Sequence, residues 1–375
     1  MTAARTHDDG GNSGLRAIVL VCVAALLLAG CAPRLQEIGP DIGEPMLTDD
    51  AILMPDGERL PLRRWLPEDE PVATVLALHG FNDYSRAFEL PGAAWARQGI
   101  ATYAYDQRGF GETEDVGKWP GDRRMIDDLR IASALVRARH PGVPHFLLGE
   151  SMGGALVMAA LDEGPIEGVD GAVLVSPAVW GRETQGPVAS GALWFFAHTV
   201  PWLPVSGDNF GVVPSDNLPL LRAMRNDPLV QKDARVDTIY GLVGLMDRSY
   251  DAFERAGPVP TLILYGAKED VMPPSVVLRA LERLPKIGEA RLRVAIYPAG
   301  YHMLLRDVEA AIVWQDVASW MMDAARPLPS GADLTAQRVL YGDGETLEEV
   351  ASDGGGRGSG GDGNSPIPVL ARPRG

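Results

Sequence analysis

Cysteine is nearly absent from this chain: two residues in 375, Cys22 and Cys31, beside only six scattered histidines. No C-x-x-C and no paired His/Cys spacing occurs, so neither a zinc site nor a disulfide framework has support, and no metal is expected. Positive charge is also scarce, with 34 Lys and Arg against 50 Asp and Glu and a formal net charge of −16. That surplus repels phosphate backbones and anionic membrane surfaces alike, which argues against nucleic acid as a partner. Nor does any apolar run reach the roughly 20 residues a bilayer-spanning helix needs. What remains is ordinary. A hydrophobic share of 46% and a charged share of 22% are those of a folded soluble protein and exclude a wholly disordered chain. The length fits two average domains or one large α/β domain carrying an insertion.

The longest apolar run, Ala17 to Ala29, follows a polar stretch with Arg5 and Arg16 and stops at Gly30-Cys31, ahead of Pro33 and Arg34. This is the n-region and h-region order of a secretory signal. Leu28-Ala29-Gly30-Cys31 resembles the lipobox of bacterial lipoproteins, in which the signal is cut before an acylated cysteine. On that resemblance residues 1–30 are removed, Cys22 leaves with them, and lipidated Cys31 holds the protein to a membrane. A signal peptide that merely contains a cysteine, or an uncleaved anchor, are the alternatives. Ala32 follows the cysteine where an aspartate would favour inner-membrane retention, so the bacterial cell envelope is expected, the outer membrane slightly ahead of the inner.

Residues 31–46, rich in Pro and Gly, read as a tether. Ala51 to Met54 and Leu60 to Trp65 flank Pro55-Asp56-Gly57, turn chemistry suited to a hairpin. Six apolar runs of strand length follow: Val72 to Leu78, Ala101 to Tyr105, His145 to Leu148, Ala172 to Val175, Thr261 to Tyr265 and Leu292 to Tyr297. Runs of this kind suit strands buried on both faces. Helical stretches at Arg123 to Arg139, Met152 to Leu161, Ser275 to Leu284 and Val308 to Met322 alternate with them, so a mostly parallel sheet covered by helices is expected. The core is then split, residues 47–177 and 259–326, by a cap at 178–258. That insertion carries Trp180, Trp194, Phe195, Phe196, Trp202 and Phe253, most of them expected to pack the cap down and some to line an apolar tunnel. Residues 327–375 end in a Gly- and Pro-rich stretch and are expected to be disordered.

Gly149-Glu150-Ser151-Met152-Gly153 follows a strand and opens a helix, the context of a G-x-S-x-G nucleophile elbow. Asp270, just beyond the fifth run, is the expected acid, with its neighbour Glu269 as the rival. His302, just beyond the sixth, is the expected base. Ser, Asp, His is the order this architecture uses. A neutral serine needs a histidine to take its proton and a carboxylate to hold that imidazole in one tautomer. His79-Gly80-Phe81-Asn82 ends the first run, where the fold supplies one oxyanion-hole N–H; the residue after the nucleophile supplies the other, so Phe81 and Met152 are the expected donors. His79 is expected to brace that loop rather than to act as the base. No cofactor is implied.

These pieces, with Asp106-Gln107-Arg108-Gly109-Phe110-Gly111 and Tyr301-His302, resemble the monoacylglycerol lipase and lysophospholipase-like branch of the α/β-hydrolases (the serine aminopeptidase S33, or hydrolase-4, group) over roughly residues 50 to 325. The resemblance implies an α/β-hydrolase fold with an eight-stranded, mostly parallel sheet, a cap over an acyl tunnel, a structural Asp106 to Gly111 loop, and a serine esterase acting on monoacylglycerols or lysophospholipids. Glu150 stands where a histidine is often seen in that branch. A general carboxylesterase and a proline iminopeptidase-like peptidase are the alternatives on this scaffold, and a non-enzymatic membrane-anchored binding module is the alternative of another class.

Overall fold

A computed structural model describes residues 33–207, 211–286, 288, 291–342 and 345–354. The expected signal sequence, Cys31 and the last 21 positions lie outside the described residues.

Strands β1 (Met46–Leu47), β2 (Ala51–Leu53) and β3 (Arg59–Trp65) pair antiparallel in sequence, and β3 lies antiparallel on β5 (Ile100–Tyr105). From there β4 (Ala73–Leu78), β6 (His145–Glu150), β7 (Gly171–Val175), β10 (Thr261–Gly266) and β11 (Leu292–Tyr297) run parallel. The order is β1-β2-β3-β5-β4-β6-β7-β10-β11, nine strands where eight were expected. The extra one is β1, two residues that pair with β2 just after the turn at Thr48.

Period-two alternation divides the side chains of each strand between two cores. On β4, Leu76 and Leu78 join one core, while Ala73, Val75 and Ala77 join the other. The first core lies under α2 (Asp122–Arg139) and α3 (Met152–Asp162); the second lies under α1 (Glu89–Ala96), α8 (Pro274–Glu282) being on the first side and α9 (Ala310–Met322) on the second. Between β7 and β10 the insertion builds α4 (Arg182–Gln185), α5 (Pro187–Thr199), a two-stranded sheet of β8 (Pro204–Ser206) and β9 (Asp233–Arg235), α6 (Leu218–Asn226) and α7 (Val236–Ala252). Leu242 and Leu245 of α7 belong to the first core, so the insertion is rooted rather than hinged on a loop.

Two segments depart from the sequence reading. Residues 33–46 do not stand off as a free tether: Leu35 bridges Trp119, Gln36 N donates to Trp119 O at 2.9 Å, and Ile42 N donates to Pro55 O at 2.7 Å. The second is the expected disordered tail from 327, which instead forms α10 (Ala332–Tyr341) and α11 (Leu347–Gly354) before the glycine-rich stretch. Leu347, Val350 and Ala336 bury against Ile296 and Ala267, giving these short helices the apolar contact that composition alone does not promise. A buried ion pair fixes them, Arg293 Nη1 to Asp333 Oδ2 at 3.2 Å, both side chains at 4% exposure or less.

Removing the carboxylate of such a pair takes away a buried ion pair and one hydrogen bond of the Arg293 guanidinium. Asp333→Ala is expected to cost about 3 kcal/mol, read as a lower urea midpoint, and a chain ending at residue 326 to unfold earlier still. An unchanged midpoint in both would show that α10 contributes nothing to the fold.

Candidate active site

Ser151 sits between β6 and α3 with φ 54° and ψ −113°, a left-handed conformation that costs a non-glycine residue about 1–3 kcal/mol. The turn is held by its backbone: Ser151 N donates to Val175 O at 2.9 Å, while Ser151 O accepts from Ala155 N at 2.9 Å and Ala178 N at 3.0 Å. It closes only because its neighbours lack side chains. A Cβ at Gly149 would strike the Gly153 carbonyl, and one at Gly153 would strike Leu78 O. Gly80 passes Ser151 so closely that a Cβ there would stand 3.3 Å from the serine Cβ. Phe81 is therefore the next residue after the glycine that touches Ser151, and Met152 follows Ser151 and opens α3, where the first N–H groups of a helix have no intrahelical acceptor.

His79 braces this loop, as expected. Its Nε2 accepts from Gln107 N at 3.0 Å, so the proton is on Nδ1, which donates to Gly80 O at 2.8 Å. Burial holds its pKa below the usual histidine value, which keeps the ring neutral. The Asp106 to Gly111 loop is tied in the same way, with Asp106 Oδ1 accepting from Ser85 N at 2.9 Å and Oδ2 from Glu112 N at 2.9 Å.

The acid is where sequence and structure part. His302 Nδ1 meets Glu269 Oε2 at 2.7 Å, whereas Asp270, the expected acid, is exposed and accepts from Val213 N at 2.8 Å. The turn after β10 explains the difference. Lys268 N donates to Gly300 O and Glu269 N to Gly266 O, which curls residue 269 inward and the next residue out. The other Glu269 oxygen accepts from Val271 N at 2.8 Å and Met272 N at 3.1 Å, so the carboxylate is buried yet fully held. Burial opposes the charged imidazole, but the fields of Glu269 and then Glu150 prevail, and the His302 pKa stands above its ordinary 6.5.

One group that the sequence reading missed joins these parts. Arg306, buried on the loop after His302, puts Nη1 on Asp83 at 2.6 Å and Nη2 on Glu150 at 2.8 Å. Asp83 belongs to the loop of Gly80 and Phe81, and Glu150 precedes the nucleophile. Nothing in the spacing of Asp83, Glu150 and Arg306 announces the cluster; only Glu150 stood out, as the residue before the serine. Next to it Asp307 accepts from Tyr301 N at 2.7 Å and from Ser215 Oγ of the insertion at 2.6 Å. Among the described residues no group of three His, Cys, Asp or Glu side chains could hold a metal ion.

The family model described as serine aminopeptidase, S33 (Hydrolase_4) matches residues 69–309. The chain belongs to this family. A monoacylglycerol lipase of Mycolicibacterium smegmatis is 26% identical over 268 residues, covering 71% of this chain and 94% of that protein. Human monoglyceride lipase is also 26% identical, over 71% of this chain and 88% of its own length. Among solved structures, a soluble variant of the Saccharomyces cerevisiae monoglyceride lipase aligns with a TM-score of 0.61 at 18% identity, over 77% of this chain and 98% of that one. The Paleococcus ferrophilus monoacylglycerol lipase aligns with a TM-score of 0.55 at 21% identity, over 70% and 98%. The fold is that of the α/β-hydrolases.

Two outcomes test the geometry. Glu269→Gln is expected to lower kcat by about 10³- to 10⁴-fold, as loss of the orienting carboxylate does elsewhere, while the exposed Asp270→Asn stays near wild type. Because the base works only when neutral, kcat/KM should fall as pH drops through a His302 pKa above 6.5. In Glu269→Gln the main raising influence is gone, so that acid limb moves to lower pH. The reverse ranking of the two variants would return the role to Asp270. Arg306→Lys keeps a charge but not the fork that spans two carboxylates. It should fold, with kcat down roughly 10- to 100-fold and KM little changed, through displacement of the reacting groups; wild-type kcat would show that the cluster has no bearing on the site.

Proposed function

We propose that this chain hydrolyses lipid carboxylic esters, monoacylglycerols or lysophospholipids, through Ser151, His302 and Glu269. The chain is a serine ester hydrolase. The observation that carries the reading is the His302–Glu269 hydrogen bond at 2.7 Å, together with a serine on a strained elbow, in a chain whose similar proteins include monoacylglycerol lipases.

In this mechanism Ser151 Oγ attacks the ester carbonyl carbon as His302 takes the hydroxyl proton, and Glu269 stabilises the imidazolium that results. The N–H groups of Phe81 and Met152 receive the charge gathering on the carbonyl oxygen, each worth about 10²- to 10³-fold in rate. Collapse breaks the ester C–O bond, and His302 gives its proton to the leaving alcohol. Water then attacks the acyl-serine with His302 again as base, releasing the fatty acid and restoring Ser151. Acylation of Cys31 would place the reaction at a membrane of the bacterial cell envelope.

The test is hydrolysis by the full chain and by Ser151→Ala of a monoacylglycerol, the matching lysophospholipid, a short-chain water-soluble ester and an aminoacyl anilide. Turnover of a lipid ester that vanishes in Ser151→Ala is the expected result and names the head group. Turnover of the anilide alone would make the chain a peptidase, and activity that survives Ser151→Ala would overturn the mechanism.

A further inference from the structure

The turn that carries Phe81 has little to hold it from within. Gly80 to Asp83 is closed by the bond of Asp83 N to Gly80 O at 3.3 Å, longer than such bonds usually are. Asn82 stands in it with φ 63°, a left-handed conformation that asparagine tolerates better than most residues but still at a cost. Its side chain offers no compensation, since Asn82 Oδ1 is buried and accepts no hydrogen bond among the described residues. Yet the turn must keep its place, because Gly80 lies against Ser151 and Phe81 is the residue whose N–H is expected to receive the oxyanion. Bonds from outside hold it. Two belong to the core, His79 Nδ1 to Gly80 O and Arg306 Nη1 to Asp83. Another comes from the insertion, where Gln231 N donates to Asn82 O at 2.9 Å.

Gln231 lies between α6 and β9, on a loop that is itself stiffened. Lys232 Nζ donates to three carbonyls of the same stretch, Met224 O at 2.7 Å, Asp227 O at 2.8 Å and Val230 O at 2.6 Å, which gathers residues 224–232 around one ammonium. Within it Leu229 N donates to Asp227 Oδ1 at 3.0 Å. The loop also meets the core beyond Asn82. Tyr84 OH donates to the other Asp227 oxygen at 2.7 Å, and Gln231 Nε2 donates to Gly109 O at 2.9 Å. One half-buried residue thus spans two core loops, that of Phe81 through its main chain and that of Asp106 to Gly111 through its side chain. A restraint is only as firm as the element that applies it, and this element is fixed by its own bonds.

We propose that residues 227–232 of the insertion are a positioning element for the oxyanion hole, with Gln231 as the contact and Lys232 as the brace. Gln231 acts through Asn82 rather than on the reacting atoms, keeping the turn of Phe81 against Ser151. The insertion then does more than cover bound substrate. It sets part of the geometry in which charge on the carbonyl oxygen is stabilised, so disturbing it lowers kcat, where loss of a substrate contact would raise KM. This kinetic consequence rests on the ester-hydrolase reading above; the placement of the turn does not.

The experiment compares the full chain with Gln231→Pro, which lacks the N–H that meets Asn82, with Gln231→Ala, which keeps it, and with Lys232→Met, an exposed position where folding is expected to survive. Amide hydrogen exchange in peptides covering 79–86 is expected to quicken about 10-fold or more in Gln231→Pro and Lys232→Met, while the elbow at 149–156 keeps its wild-type rate. On para-nitrophenyl butyrate their kcat is expected to fall about 10- to 100-fold with KM little changed, less than outright loss of a donor, and Gln231→Ala to lose less. Inhibition by an aryl trifluoromethyl ketone is expected to weaken by the same factor as kcat/KM. In that adduct Ser151 Oγ bonds to the ketone carbon, His302 takes the hydroxyl proton, and the carbonyl oxygen becomes the anion that the hole receives. Unchanged exchange at 79–86, a raised KM with wild-type kcat, or as large a loss of kcat in Gln231→Ala as in Gln231→Pro would each overturn the proposal. If the wild type turns over no ester, the esterase reading fails by itself, and exchange at 79–86 alone decides whether the insertion holds the turn.

Discussion

The guanidinium of Arg306 is the point on which the site depends. It is buried and contacts two buried carboxylates, Asp83 in the loop after β4 and Glu150 at the end of β6. An isolated ion in such a place would be untenable, and a buried pair is itself only marginally favourable against an apolar equivalent. Its worth is therefore positional. Three segments that diverge in sequence, after β4, after β6 and after β11, are brought to one charge, and they are the segments bearing Phe81, Ser151 and His302. The same carboxylate that receives Arg306 also raises the His302 pKa, so the clamp contributes to the electrostatics of the imidazole four residues before Arg306. Burial pushes the Glu150 pKa up while Arg306 draws it back, which is the expected balance for a carboxylate that owes its charge to one partner.

The nucleophile turn obeys a different constraint. Its conformation is unfavourable for serine, and no cation holds it; main-chain bonds to Val175, Ala178 and Ala155 do. Those bonds are in turn consequences of the parallel register that sets Glu150 opposite Val175. The sheet supplies the strain, and the glycines at 149 and 153 remove the clashes that would otherwise release it. Charge thus positions the loops relative to one another, while sheet register sets the shape of the elbow within its own loop.

These two constraints explain what could be read from the sequence. The parallel strands were legible because they are apolar on both faces, and Leu292–Tyr297 appears with the bounds its residues suggest. The elbow was legible because its glycines are required by local sterics. Glu269 was not distinguished from Asp270 by any local rule, since the choice is made by the curl between Gly266 and Gly300, a contact across β10 and β11. Arg306, Asp83 and Glu150 are separated by more than 60 residues at each step, and only the closed sheet makes them neighbours. Helix α1 was hidden by Pro91 and Gly92; the glycine is there because a Cβ would meet the Trp65 ring at 2.7 Å.

The two ends of the chain extend this argument beyond the family core. Residues 33–46 and 332–354 lie outside the segment matched by the family model, yet neither merely trails from it. The amino-terminal segment borrows backbone groups of the Trp119 loop, and α10 supplies a carboxylate to Arg293, a buried cation on the last parallel strand. Arg293 also donates to the Ala325 and Arg326 carbonyls, so strand β11 is tied both to the chain leaving α9 and to α10. That strand also leads into the loop of His302. Contacts thus run from the carboxyl-terminal helices through β11 to the loop of His302, and from residues 33–36 through Asp237 to the insertion.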